Sequence, residues 1–214
     1  RNQSAHPDQF RPFWAPDGGQ FAYDSFHHGG KFANTEILYK QTLDSKQDQP
    51  LVHGGAAVLG KSPVWMHGDW IAFSGCDYWP GGTGGSKCGL FRMPSWGGQP
   101  AAIWPGSPTM RATDNHGSQL VFMSQESGNW EVYLVANTGG SPRNLSNSAS
   151  SQDGLGTFSP DGKLVAFVSN RGGGGWAVWV VRTDGSGLTK LFNLPAKPSD
   201  PAGDWTQEHI SWGP

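Results

Sequence analysis

Four stretches of this chain can be laid one beneath another, and that self-similarity restricts its fold more than any other feature. Residues 13–25 read FWAPDGGQFAYDS, residues 64–75 VWMHGDWIAFSG, residues 111–124 RATDNHGSQLVFMS and residues 157–169 TFSPDGKLVAFVS. Each is a short apolar strand, a polar turn holding glycine, and a second strand that alternates around an aromatic. Tyr23, Phe73, Phe122 and Phe167 occupy one equivalent place. After a variable, often Gly-rich stretch comes a third strand: TEILYKQTL, CGLFRMPSW, WEVYLVANT and WAVWVVRTD. QPLV, GGQPAAI, GGSPRNL and GSGLTKL then open a fourth. The period is about 45 to 50 residues. A lone four-stranded antiparallel sheet cannot bury both its faces, whereas sheets stacked face to face around an axis can. The expected fold is therefore all-β, a β-propeller of four-stranded antiparallel blades: four complete blades plus the first strand of a further one. A β-sandwich is the structural rival, and it has no need of the same turn at the same phase in every unit.

The complete blades are expected at about 10–56, 57–108, 109–152 and 153–196 of a single domain. Residues 197–214 open another, because SWGP matches the WAP of the first copy. The first nine residues are too polar to supply its missing strands. The chain is therefore expected to be a piece of a longer propeller, or to complete its ring by self-association. It begins at Arg1 and shows no charged-then-apolar leader, so it reads as a processed or trimmed form.

Composition separates this reading from disorder. With 32 Gly and 16 Pro the chain would suit a disordered segment, but 11 Trp and 11 Phe sit regularly between the Gly clusters. Disordered chains are poor in aromatics. A net charge of -2, with no run of Lys or Arg, argues against a nucleic-acid partner. The apolar bursts are far too short to span a membrane. Cys76 and Cys88 flank a loop between the strand-like runs IAFSG and GLFRM, where neighbouring antiparallel strands bring their ends together. A disulfide there would contribute about 3 kcal/mol by loop closure and would imply an oxidising compartment. Two free thiols or a weak metal pair are the alternatives.

APDGGQFAY at 15–23 and FSPDGKLVAFVSNRGGGGWAVWVVRTDG at 158–185 resemble the PD40 repeat of TolB-like propellers. The resemblance covers almost the whole chain. The second copy departs from it by carrying Met66-His67-Gly68 in place of Pro-Asp-Gly, and the third keeps Asp114-Asn115-His116-Gly117 without the proline. It implies an extracytoplasmic (periplasmic or secreted) binding or scaffold propeller, not an enzyme, with no cofactor and a protein partner. The alternatives are a carbohydrate-binding propeller or part of an oligosaccharide lyase or peptidase-associated propeller, with an oligosaccharide as the ligand.

In propellers of this kind the loops between second and third strands open on one face, here SFHHGGKFAN, SGCDYWPGGTGGSKC, SQESGNW and SNRGGGGW. Binding residues concentrate on loops held by a rigid scaffold. Tyr78 and Trp79, inside the Cys-flanked loop, are the most distinctive of them, as a hot spot or a sugar-stacking platform. His27, His28, Glu126 and Arg171 complete the expected partner-binding set. Adjacent residues on a strand point to opposite faces, so His27 and His28 would share a metal only in a loop, and they read as solvated loop histidines with no metal site. Trp130 and Trp176 begin third strands at matching positions and read as structural. Asp17 and Asp161 read as turn formers. No nucleophile elbow, Ser-His-Asp signature, phosphate-cradling loop or Cys-X-X-Cys pair is present, so no catalytic residue is assigned.

Overall fold

Asp17 and Asp161 make the turns that reverse the chain between first and second strands. Asp17 Oδ1 accepts from the Gly19 N–H at 2.9 Å and Asp161 Oδ1 from the Lys163 N–H at 3.1 Å. The glycine after each aspartate has positive φ, +70° at Gly18 and +69° at Gly162. Only glycine takes that conformation without a Cβ penalty. The copies that lack Pro-Asp-Gly keep the positive φ, at Gly68 and Asp69 and at Gly117, so the reversal survives the substitution.

The structure is a computed structural model and describes residues 8–27, 35–45, 47–76, 87–198 and 204–212. The chain forms two compact units, residues 1–108 and 109–214, each holding two four-stranded antiparallel sheets. In the N-terminal unit β1 (Asp8–Trp14), β2 (Gln20–His27), β3 (Thr35–Thr42) and β4 (Asp48–Pro50) pair in sequence order. A short ribbon, β5 (Val52–His53) with β6 (Ala56–Ala57), leads to the second sheet of β7 (Lys61–Met66), β8 (Trp70–Cys76), β9 (Cys88–Pro94) and β10 (Ala101–Gly106). The C-terminal unit holds β11 (Arg111–His116), β12 (Gln119–Ser124), β13 (Glu131–Ala136) and β14 (Arg143–Asn144), then β15 (Asp153–Phe158), β16 (Leu164–Ser169), β17 (Ala177–Arg182) and β18 (Thr189–Asn193). A 3-10 helix covers Trp205–Gln207.

Within each unit the repeated aromatic of the later sheet shares a core with apolar residues of the earlier one. Phe73 lies in one core with Ala22 and Leu38, and Phe167 in another with Val121 and Val132. Both phenylalanines are fully buried, each contributing roughly 1.5–3 kcal/mol. In the last sheet burial falls along the strand order, from β15, buried throughout, to β18, exposed throughout. That gradient, with the first strand innermost, is what radially arranged sheets require. Trp130 and Trp176 are structural as expected, their rings 6.3 and 4.9 Å from that of Trp205.

One device is invisible in the sequence. All four first strands slip register against their neighbour at the same phase, between Phe10 and Phe13, Lys61 and Val64, Ala112 and Asp114, and Gly154 and Thr157. In three of them a non-glycine residue takes positive φ there: Arg11 at 52°, Ser62 at 53° and Leu155 at 56°. A bulge of this kind bends the strand and re-aims its side chains.

Candidate functional site

The connections between second and third strands leave each sheet at the end opposite the Asp17 and Asp161 turns. One has a covalently closed base. Cys76 and Cys88 stand directly opposite in the β8–β9 register, Cα atoms 3.9 Å apart, and are joined as a disulfide. Tyr78 and Trp79, in the loop so closed, lie outside the described residues, as does His28. Glu126 is exposed, in a turn where its N–H donates to Ser124 Oγ at 3.2 Å.

His27 corrects one expectation. It belongs to β2, is 9% exposed, and sits with Nε2 3.2 Å from the Tyr39 hydroxyl. Alternation along β2 and β3 builds a ladder of rings on one face. Trp14 lies 5.3 Å from Phe21, Phe21 5.8 Å from Tyr23, Tyr23 5.5 Å from Tyr39, and Tyr39 6.1 Å from His27. His27 ends that ladder as a packed residue, not as a solvated loop histidine. Arg171 is also built in. Its side chain is 12% exposed, ion-paired with fully buried Asp153 at 3.0 Å, and its Nη2 donates to the Ser146 carbonyl at 2.9 Å.

The Arg171 contacts belong to one of two buried polar clusters, one where the sheets of each unit meet. In the C-terminal unit Glu131 is 1% exposed and accepts from Ser146 Oγ, from the Ser148 N–H at 2.8 Å and from Asn129 Nδ2 at 3.0 Å. Asp114 of β11 accepts from Thr157 Oγ1 at 2.8 Å and the Phe158 N–H at 2.7 Å, stitching β11 to β15. Burial pushes its carboxyl up, against the pull of those donors. In the N-terminal unit Glu36 occupies the place equivalent to Glu131, second in the third strand's sequence motif. Arg11 bridges it to Asp24, with Nη2 2.9 Å from Glu36 Oε1 and Nε 2.9 Å from Asp24 Oδ1. Burial pushes the Asp24 carboxyl up to about 6, outweighing the downward pull of Arg11. Lys61 Nζ lies 3.8 Å from Glu36 Oε2. Among the described residues no group of three or more His, Cys, Asp or Glu side chains is placed to hold a metal ion.

Arg11, Asp24, Glu36 and Lys61 were not singled out by sequence reasoning. The available signal was the glutamate repeated at 36 and 131; the positive φ that helps place Arg11 leaves no trace in residue type.

No protein-family model matches the chain. It is 24% identical over 201 residues to an uncharacterized protein of Agrobacterium fabrum, covering 93% of this chain and 61% of that protein. A structure assigned as TolB from Agrobacterium tumefaciens superposes with a TM-score of 0.66 at 22% identity, over 92% of this chain and 64% of that one. The β-propeller domain of the Trilobed protease from Pyrococcus furiosus superposes with a TM-score of 0.61 at 10% identity, over 88% and 56%. The fold is that of a β-propeller. TolB from Acinetobacter baumannii agrees, with a TM-score of 0.63 at 19% identity, over 88% of this chain and 44% of that one. The chain thus spans less than two thirds of the length of these relatives.

Proposed function

We propose that this chain is a non-catalytic binding propeller that recognises a protein partner through its loop-bearing face in an extracytoplasmic compartment. The observation that carries the reading is the Cys76–Cys88 bond at the base of the loop holding Tyr78 and Trp79. Tyrosine and tryptophan dominate binding hot spots, and a closed loop has less conformational freedom to lose on association. Glu126, exposed on the connection between second and third strands of its own sheet, and His28 complete the proposed partner-binding set. His27 and Arg171 would act from below, holding the ends of the strands that carry those connections.

A disulfide suits an oxidising compartment, and the likeness in fold to TolB supports a binding role over a catalytic one. No helix among the described residues is long and apolar enough to cross a membrane. The test is capture from a cell-envelope extract with the immobilised, unreduced chain. A saturable protein partner should be retained, and Trp79→Ala should weaken it about tenfold or more while thermal melting stays unchanged. Undiminished capture by a folded Trp79→Ala chain would remove this site.

A further inference from the structure

Three apolar positions recur in the sheets that begin each unit. Ala22 and Val121 precede the repeated aromatic, Leu38 and Val132 lie opposite the residue after it, and Leu51 and Leu145 follow the last pair with the fourth strand. All six are at most 3% exposed. The first two strands of the following sheet supply the cover. Trp65, Ile71 and Phe73 share a core with the first set, and Phe158, Val165 and Phe167 with the second. The sheet β15–β18 carries the same positions as Ala166, Val178 and Leu191, with a register slip setting Phe192 beside Val178. Trp212 takes the part of Phe158. Ser211-Trp212-Gly213-Pro214 matches Thr157-Phe158-Ser159-Pro160 in sequence, and the Trp212 indole N–H donates to the Thr157 carbonyl at 3.2 Å. Where counterparts of Val165 and Phe167 would lie there is a cavity of about 500 Å³, lined by Ala166, Val178, Leu191, Phe192, Ile210 and Trp212 among others. Leu191 and Phe192 are 48% and 56% exposed.

We propose that this cavity receives an extended segment of a partner polypeptide, with uncharged apolar side chains at alternate positions and an aromatic among them. The segment lies antiparallel beside residues 210–212, which belong to no strand, as β16 lies beside β15. Its alternate side chains fill the cavity as Val165 and Phe167 fill the corresponding space over β11–β14. In strand addition main-chain hydrogen bonds give affinity, and pockets for alternate side chains give selectivity. The lining fixes the chemistry of those side chains. It holds no charged residue, so a buried charge would find no counter-charge there. Two of its polar groups are already engaged, the Thr157 hydroxyl with Asp114 and the Trp212 indole with the Thr157 carbonyl. The site uses none of the residues assigned to the loop-bearing face and does not rest on that reading.

The probe is a capped, fluorescently labelled peptide of residues 163–170, KLVAFVSN, because that strand covers the equivalent positions on β11–β14. Titrated with the full chain and followed by anisotropy, it should saturate one site. Hydrogen exchange should then show new protection in β18 and residues 210–212. The same peptide with aspartate in place of its phenylalanine should bind about tenfold or more weakly. Leu191→Asp changes an exposed side chain, so melting should be unchanged while affinity for the parent peptide falls similarly. Trp79→Ala should leave that affinity intact. Absence of saturation would overturn the proposal, as would equal binding of the aspartate-bearing peptide or full affinity in a normally melting Leu191→Asp chain. Loss of binding in Trp79→Ala would move the peptide to the loop-bearing face and overturn it too. So would a concentration-dependent dimer that excludes the peptide, since the face would then belong to a second copy.

Discussion

Asp161 is exposed, yet its carboxyl is held at about 2. The Ser159 hydroxyl donates to it at 2.8 Å, the Lys163 N–H at 3.1 Å, and the Lys163 ammonium lies 3.2 Å away. All three favour the ionised form. A carboxyl whose folded value lies below its unfolded one stabilises the fold above the unfolded value, and that contribution is lost as pH falls through the folded value. For Asp161 the window runs from its ordinary 3.8 down through about 2. Asp161→Asn keeps a turn-forming side chain but cannot titrate. Thermal melts across that window should fall more steeply for the parent chain than for Asp161→Asn; parallel curves would show that the turn does not depend on the charge.

Among the elements, the β8–β9 hairpin is the one closed covalently. Its bond joins residues 12 apart in sequence, and loop closure of that length contributes about 3 kcal/mol in the chain-entropy model. The double change Cys76→Ser with Cys88→Ser should lower stability by about that amount in non-reducing denaturant melts. Reductant should produce a matching loss in the parent chain and none in the variant. A parent chain indifferent to reductant would mean that the strands hold the loop ends unaided. The repeated bulges act at the same scale. Each shifts the pairing of a first strand, and at Arg11 the bulge accompanies the contacts to Asp24 and Glu36.

At the scale of the whole molecule, each unit is a pair of stacked sheets, and nearest-neighbour contacts dominate the stability of such arrays. Arg171 is part of that coupling in residues 109–214, tying the start of β15 to the Ser146 carbonyl of the preceding segment. Arg171→Ala leaves Asp153 buried without its cation, a loss of about 3–5 kcal/mol. Native-state hydrogen exchange should then show lost protection in β11–β18, with residues 8–27 and 47–76 keeping theirs. Equal loss throughout would mean that the two units unfold as one.

The sequence by itself determined the sheets. Strand alternation, turn chemistry at Asp17 and Asp161 and a common period are local properties, and they settle which strands pair and which face of each is apolar. The same locality made the disulfide legible, because Cys76 and Cys88 close a single hairpin. What only the tertiary structure decided is where polar side chains go once sheets stack. His27 and Arg171 looked like loop residues because both stand next to Gly-rich stretches, and packing turned them inward, onto Tyr39 and Asp153. The Glu36 cluster was equally hidden. It needs β1, β2 and β3 to converge, with Arg11 joining Glu36 to Asp24. Side-chain reach and desolvation across a sheet interface depend on partners distant in the chain, and no local pattern of residue types records them.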